Sequence, residues 1–298
     1  MLLVTGATGN VGRAVLAELA REPVSIRAFV RDPSRLGISA SNVEVVAGDI
    51  QDEAALKRAF EGVEAAFLAS AFSPRMAELH LKCVMAAKAA GVSRIVQLSG
   101  VGADKHVCCA RALRWLGQTE KATLESNICV THLRPTFFMQ NLFRFASSIA
   151  EQGVIAGPFR SSNWTFVDAR DVGCVAARAM LDSTHAGKAY TVTGSESLTY
   201  QEVAEKLSKV LGKSIRYTDI TANEARGRLQ AAGASPVMIE ATLELWDACA
   251  SKLINVAPTT CVKDITGHEP RTLEEFIAEH KDVFLGRVRW DEGDEVMR

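Results

Sequence analysis

Glycine recurs every third residue in TGATGNVG, at Gly6, Gly9 and Gly12. That spacing suits a backbone that turns tightly and lets a pyrophosphate come close. The N–H groups and positive dipole end of a following helix would hold its charge. Downstream, Arg31-Asp32-Pro33-Ser34-Arg35 offers two guanidiniums. A cation there suits a ribose 2′-phosphate and an acid suits a 2′-hydroxyl. Arg31 and Arg35 therefore read as NADP(H) preferred over NAD(H), with Asp32 leaving a ribose contact open if the loop rotates. Ser99 closes RIVQLSG, and Thr136 follows Arg134-Pro135. Their hydroxyls are candidates to meet a nicotinamide or a substrate and to give up a proton, although Ser99 could equally cap a turn.

These residues need one crevice, and the chain supplies the elements for it. Leu2 to Thr5 is an apolar run suited to a buried parallel strand, and Val11, Val15, Leu16 and Leu19 share one face of a helix. Further strands are expected at Val24–Val30, Val43–Ala47, VEAAFLASAF, RIVQLSG and ICVTHLRPTFFMQN, with helices between them. Alternation of this kind predicts an α/β fold with a doubly wound parallel sheet of Rossmann type, whose ligands bind beyond the carboxyl ends of the strands. Asp49 and Ile50 end the third strand. Asp49 could accept from an adenine amino group or cap the next helix. Ala69 and Ser70 end the fourth, where small side chains admit the adenosine side of a cofactor.

After Asn141 the pattern changes to short strands and amphipathic helices, with Asp171 expected to cap one helix and Thr199 another. The division expected is a dinucleotide-binding domain over 1–150 and a smaller, mainly helical substrate domain over 151–298. Ala189–Val192 is expected to return to the main sheet and blur that boundary.

Composition narrows the field. The chain has 298 residues, 48% of them hydrophobic, and a formal net charge of −1. It lacks the concentrated basic surface that general nucleic-acid binding needs. No apolar run is long enough to span a membrane. A strand beginning at Leu2 leaves no room for a signal peptide, so the expectation is a cytoplasmic protein whose seven cysteines are reduced and mostly buried. No cysteine or histidine spacing matches a zinc site, and no Gly-x-Ser-x-Gly elbow supports a hydrolase. His132 reads as a core residue, while His80 and His106 are expected at the surface.

TGATGNVG resembles the fingerprint of extended and atypical short-chain dehydrogenases, in which Thr8, Asn10 and Val11 would line the pyrophosphate with the glycines. FVRDPSR, LRPTFFMQN, FVDARDVGCVA, YTVTGSESLTYQEVAEKLSKVLGKSIRY and GHEPRTLEEFIAEH extend that resemblance to the NmrA-like atypical short-chain dehydrogenases, over about nine tenths of the chain. The resemblance implies a dinucleotide cofactor, with the turn of Pro135, Thr136 and Phe137 beneath the nicotinamide. Gln140 and Asn141 lie close enough to bond a carboxamide or substrate. Phe72, Phe137, Phe138 and Trp164 would give a small-molecule pocket its aromatic side, with ordinary core packing as the alternative for Phe137 and Phe138. The group includes NADPH-dependent reductases of quinones, dyes and imine-like compounds. It also includes co-regulators that bind dinucleotide and act through a protein partner.

Most short-chain dehydrogenases place Tyr and Lys four apart on the helix after strand five, on one face. The tyrosine protonates the developing alkoxide, and the lysine lowers its pKa and holds the nicotinamide ribose. Counted back from NICVTHLRP, those positions fall at Ala112 and Leu116, or in a shifted register at Gly117 and Lys121. The only tyrosines are Tyr190, Tyr200 and Tyr217. A missing general acid costs about a hundredfold to ten-thousandfold where positioned proton transfer is needed. The expected activity is thus hydride transfer from NADPH to an electrophile that does not need it: a quinone, an imine or iminium, or a dye. A non-catalytic NADP(H) sensor is the alternative, and a homodimer or regulatory partner stays open.

Overall fold

The computed structural model describes residues 1–70, 72–105 and 110–290. His106, Cys108 and Cys109 lie outside them. Seven parallel strands form the main sheet: β1 (Leu2–Thr5), β2 (Ile26–Val30), β3 (Val43–Ala47), β4 (Ala65–Leu68), β5 (Arg94–Leu98), β6 (Cys129–Pro135) and β10 (Ala189–Val192). Their spatial order is β10-β6-β5-β4-β1-β2-β3. The chain winds outward from β1 to β3, crosses back to β4, and winds outward on the other side. The switch point therefore lies between β1 and β4, where such sheets open a crevice. Every residue of β1 and β4 is buried, as expected for strands covered on both faces. At the edge, β3 exposes Glu44, which pairs with Arg27; a charge there discourages pairing with another chain.

Helices α1 (Asn10–Leu19), α2 (Glu53–Phe60), α3 (Met76–Ala89) and α4 (Arg111–Leu124) join the first six strands. From the later half, α6 (Ala169–Leu181) packs on α1. They approach so closely that a β-carbon on Gly173 would fall 2.3 Å from that of Ala14. Residues beyond 150 thus furnish both a helix and the strand β10 to the dinucleotide-type layer. The remaining elements are the strands β7 (Phe137–Phe138), β8 (Val154–Gly157), β9 (Trp164–Val167), β11 (Ser197–Leu198) and β12 (Arg216–Asp219). With them come α5 (Ala146–Gln152), α7 (Tyr200–Leu211), α8 (Ala222–Ala231), α9 (Pro236–Ala250), α10 (Cys261–Thr266), α11 (Leu273–Glu279) and α12 (Lys281–Phe284). They share an aromatic-rich core built on Phe159, Trp164, Tyr200 and Phe276. Thr199 caps α7 in a full capping box with Glu202, worth about 1 kcal/mol.

Local expectations fail at two places. The cap of α6 is Asp168, not Asp171. Asp171 sits one turn in, fully buried, and pairs with the Arg271 guanidinium and backbone N–H. His80 is not at the surface; it is 2% exposed beneath α4. No helix among the described residues is long and apolar enough to cross a membrane.

Candidate dinucleotide and substrate site

Gly6 follows β1 with φ +62°, a conformation that glycine adopts at little cost. Its carbonyl accepts from Gly9 N–H at 3.0 Å, closing the turn. Gly9 and Asn10 are exposed at the start of α1, while Val11 and Gly12 are buried beneath them and Thr8 is half-buried. Each glycine has a separate task. A β-carbon on Gly12 would lie 2.0 Å from the Gly6 carbonyl oxygen, whereas one on Gly9 would meet only that oxygen, at 3.4 Å. The side of Gly9 away from that oxygen is open, above N–H groups that the first helical turn leaves without intrahelical partners. Across the switch point, Thr5 Oγ1 donates to Phe67 O and accepts from Ala69 N–H, tying the ends of β1 and β4 together.

Arg31 and Arg35 are both exposed after β2. Arg13, which sequence reasoning passed over, reaches from α1 to the Arg35 carbonyl at 3.0 Å and brings a third guanidinium to this rim. Asp32 is engaged locally. It accepts from Ser34 N–H and Oγ, and those bonds hold its carboxyl below the usual range. Asp49 does not cap the next helix, which Asp52 does; it accepts from Gln51 N–H at 2.7 Å beside half-buried Ile50.

A buried polar layer lies under α4. Thr123 Oγ1 lies within hydrogen-bond distance of Gln97 Oε1, Thr119 O and His80 Nε2, the last at 2.8 Å, and Ser70 Oγ faces His80 Nδ1 at 3.4 Å. Burial, reinforced by neighbouring His132, pushes the His80 imidazole down to about 4. His132 is 5% exposed with neither ring nitrogen hydrogen-bonded in the structure.

The α4 positions that meet the end of β5 are Leu116 and Glu120, one turn later than Ala112 and Leu116. Ala112 is fully buried, and a β-carbon on Gly100 would fall 2.9 Å from a Leu116 methyl. In the shifted register, Gly117 abuts the Ala103 carbonyl and Lys121 is exposed. Ser99 Oγ donates to Glu120 Oε1 at 2.6 Å, and Arg134 clasps both carboxylate oxygens at 2.9 and 2.7 Å. Burial alone would raise the Glu120 carboxyl, but Arg134 and Ser99 outweigh it and leave it below the usual range. No local sequence signal marks Glu120, because only the rotation of α4 over β5 turns it inward.

The other candidates are distributed unevenly. Pro135 ends β6, and Thr136 Oγ1 makes a long contact of 3.5 Å with Val192 O. Phe137 and Phe138 are half-buried in β7. Gln140 is committed: its amide donates to Asp168 and its carbonyl accepts from Ala169 N–H. Asn141 is half-buried on the same 3-10 turn. Trp164 is 2% exposed, packed on Phe137, Phe159 and Tyr200, with its indole N–H bonded to Ser162. It lies in the core and not on an open wall. Phe72 meets Trp115 edge-to-face at 5.7 Å.

A doubly wound sheet with a glycine turn at its switch point defines a dinucleotide-binding protein of Rossmann type. The NmrA-like family model matches residues 1–277, and the chain belongs to that family. It is 34% identical over 288 residues to an NAD(P)H azoreductase of Xenophilus azovorans, covering 95% of this chain and 99% of that one. It is 35% identical over 285 residues to the (4-alkanoyl-5-oxo-2,5-dihydrofuran-3-yl)methyl phosphate reductase of Streptomyces griseus, with the same coverage. Among solved structures, the NADPH complex of an Escherichia coli NADPH-dependent quinone oxidoreductase superposes with a TM-score of 0.85. It shares 28% identity and covers 94% of this chain and 99% of that one.

Proposed function

We propose that this protein is an NADPH-dependent reductase that delivers hydride to a small conjugated electrophile, such as a quinone, an imine or iminium, or a dye, without a Tyr/Lys dyad. The observation that carries the reading is the Gly6–Gly9–Gly12 turn together with an α4 that packs Leu116 and Glu120, neither of them a tyrosine or a lysine, against the residues just after β5. Bound in its reduced form, the nicotinamide supplies the hydride. The chain's residues do the rest. Gly9 leaves room for the pyrophosphate, and the α1 amides hold its charge. Arg31, Arg35 and Arg13 receive the 2′-phosphate and favour NADP(H) over NAD(H). Ala69 and Ser70 flank the adenosine side, and Pro135, Thr136 and Phe137 underlie the nicotinamide. Ser99 and Thr136 already direct their protons at Glu120 and Val192 O, which suits an acceptor needing no positioned acid. The relatives named above act on azo, butenolide and quinone compounds by their names, all of them conjugated acceptors. The test is anaerobic mixing with NADPH and a panel of quinones, dyes and imines, following loss of the reduced nicotinamide absorbance. Turnover on at least one class supports the reading. Tight NADPH binding without any turnover moves it to the sensor.

A further inference from the structure

Ser99 directly follows β5, and the direction of its proton decides what it can recognise. A serine has one O–H to donate and lone pairs to accept with. The Ser99 proton points at Glu120 Oε1, at 2.6 Å. Glu120 is 5% exposed and held by the two nitrogens of Arg134. Arg134 is anchored in turn by Asp104 at 2.9 Å. A carboxylate clasped this way offers lone pairs and no proton, so it takes the Ser99 hydrogen at all times. The oxygen of Ser99 is left to accept.

Resting on the dinucleotide reading above, we infer that Glu120, fixed by Arg134, is a positioning residue that holds Ser99 as a permanent hydrogen-bond acceptor for a donor on the reduced dinucleotide, a nicotinamide-ribose hydroxyl or the carboxamide N–H. The polarity is opposite to that of an ammonium in the same neighbourhood, which can only donate. It also rules Ser99 out as the proton source, because its proton is committed inward.

Glu120→Ala removes the acceptor that takes the Ser99 proton and frees that proton to turn outward. Glu120→Gln is the conservative control: an amide oxygen in the place of Oε1, to which both Ser99 and Arg134 Nε donate, keeps the Ser99 proton inward. The experiment titrates NADPH into the parent, Ser99→Ala, Glu120→Ala, Glu120→Gln and the Ser99→Ala/Glu120→Ala double variant, following fluorescence of the reduced nicotinamide, with ligand-free Tm measured alongside. One lost hydrogen bond corresponds to about three- to tenfold in Kd. We expect Ser99→Ala and Glu120→Ala each to weaken NADPH by that factor and Glu120→Gln to retain most of the parent affinity. The double variant should bind no more weakly than Ser99→Ala, because Glu120 acts through Ser99. Glu120→Ala effects that simply add to those of Ser99→Ala would show a general structural role and overturn the inference. So would unchanged affinity in Ser99→Ala, which stands as a test even if Glu120→Ala fails to fold. A parent that does not bind NADPH at all would overturn the dinucleotide reading itself.

Discussion

The carbonyl oxygen of Gly6 occupies the space a side chain on Gly12 would need: a β-carbon there would lie 2.0 Å from it. The same oxygen is 3.4 Å from a β-carbon placed on Gly9, an ordinary contact. One glycine is therefore required by the fold and the other by whatever approaches the turn.

Two substitutions separate these tasks. Gly9→Val should keep the melting temperature within a few degrees and abolish NADPH binding by calorimetry, since the branched side chain projects where the pyrophosphate lies. Gly12→Ala should lower the melting temperature outright, because backbone must move to relieve the clash; overpacking of this kind costs about 1–3 kcal/mol. Unchanged NADPH affinity in a folded Gly9→Val protein would count against the site.

Cofactor choice rests on Arg31, with Arg35 and Arg13 beside it. A guanidinium on a phosphate is a charge-assisted contact worth about 1.5–3 kcal/mol, which corresponds to a preference of roughly tenfold to a hundredfold for NADPH over NADH. Arg31→Ala should erase most of it, and higher salt should shrink it in the parent. Equal affinities for the two cofactors in the parent would remove the argument.

Building the absent dyad at the positions counted from the sequence should do harm. Ala112 is fully buried, so Ala112→Tyr overfills the core by an entire ring, and Leu116→Lys carries an ammonium toward the packed end of β5. The double variant should melt well below the parent and gain nothing in quinone reduction. A stable variant with faster ketone reduction would show that position 112 faces the substrate alongside 116.

Gly6, Gly9, Gly12, the strand alternation and the Thr199 cap were legible because each depends on neighbours within a few residues. The return of Ala189–Val192 to the sheet was legible as a short apolar run with no other place to go. Glu120 was not, since whether a helical residue faces a strand end depends on how α4 rotates over β5. His80 was misplaced for a related reason. Its flanks, Leu79 and Leu81 among charged residues, do not reveal that Gln97, Thr119 and Thr123 form a polar layer to receive it. Asp168 and Asp171 both fit a cap by type, and only the Arg271 partner of buried Asp171 separates them.

Histidine burial also sets a pH dependence. The His80 imidazole falls from an ordinary value near 6.5 to about 4 in the fold. A group with a depressed folded value contributes stability that is fully present above the unfolded pKa and lost as pH falls toward the folded one. Stability to urea should therefore decline between pH 6.5 and 4, with His132, also lowered by burial, adding to the slope. His80→Gln, whose amide can still hydrogen-bond Thr123, should flatten the decline. An identical slope in the variant would mean that His80 is not the titrating group.

The central claim is hydride delivery without a positioned tyrosine, and single-turnover kinetics with matched acceptors tests it most directly. The protein, loaded with NADPH, is mixed anaerobically with a ketone, a quinone and an imine of similar size, and cofactor oxidation is followed for each. The account predicts oxidation by the quinone or the imine and little or none by the ketone, about a hundredfold slower or worse. Fast, stereoselective reduction of the ketone would contradict it.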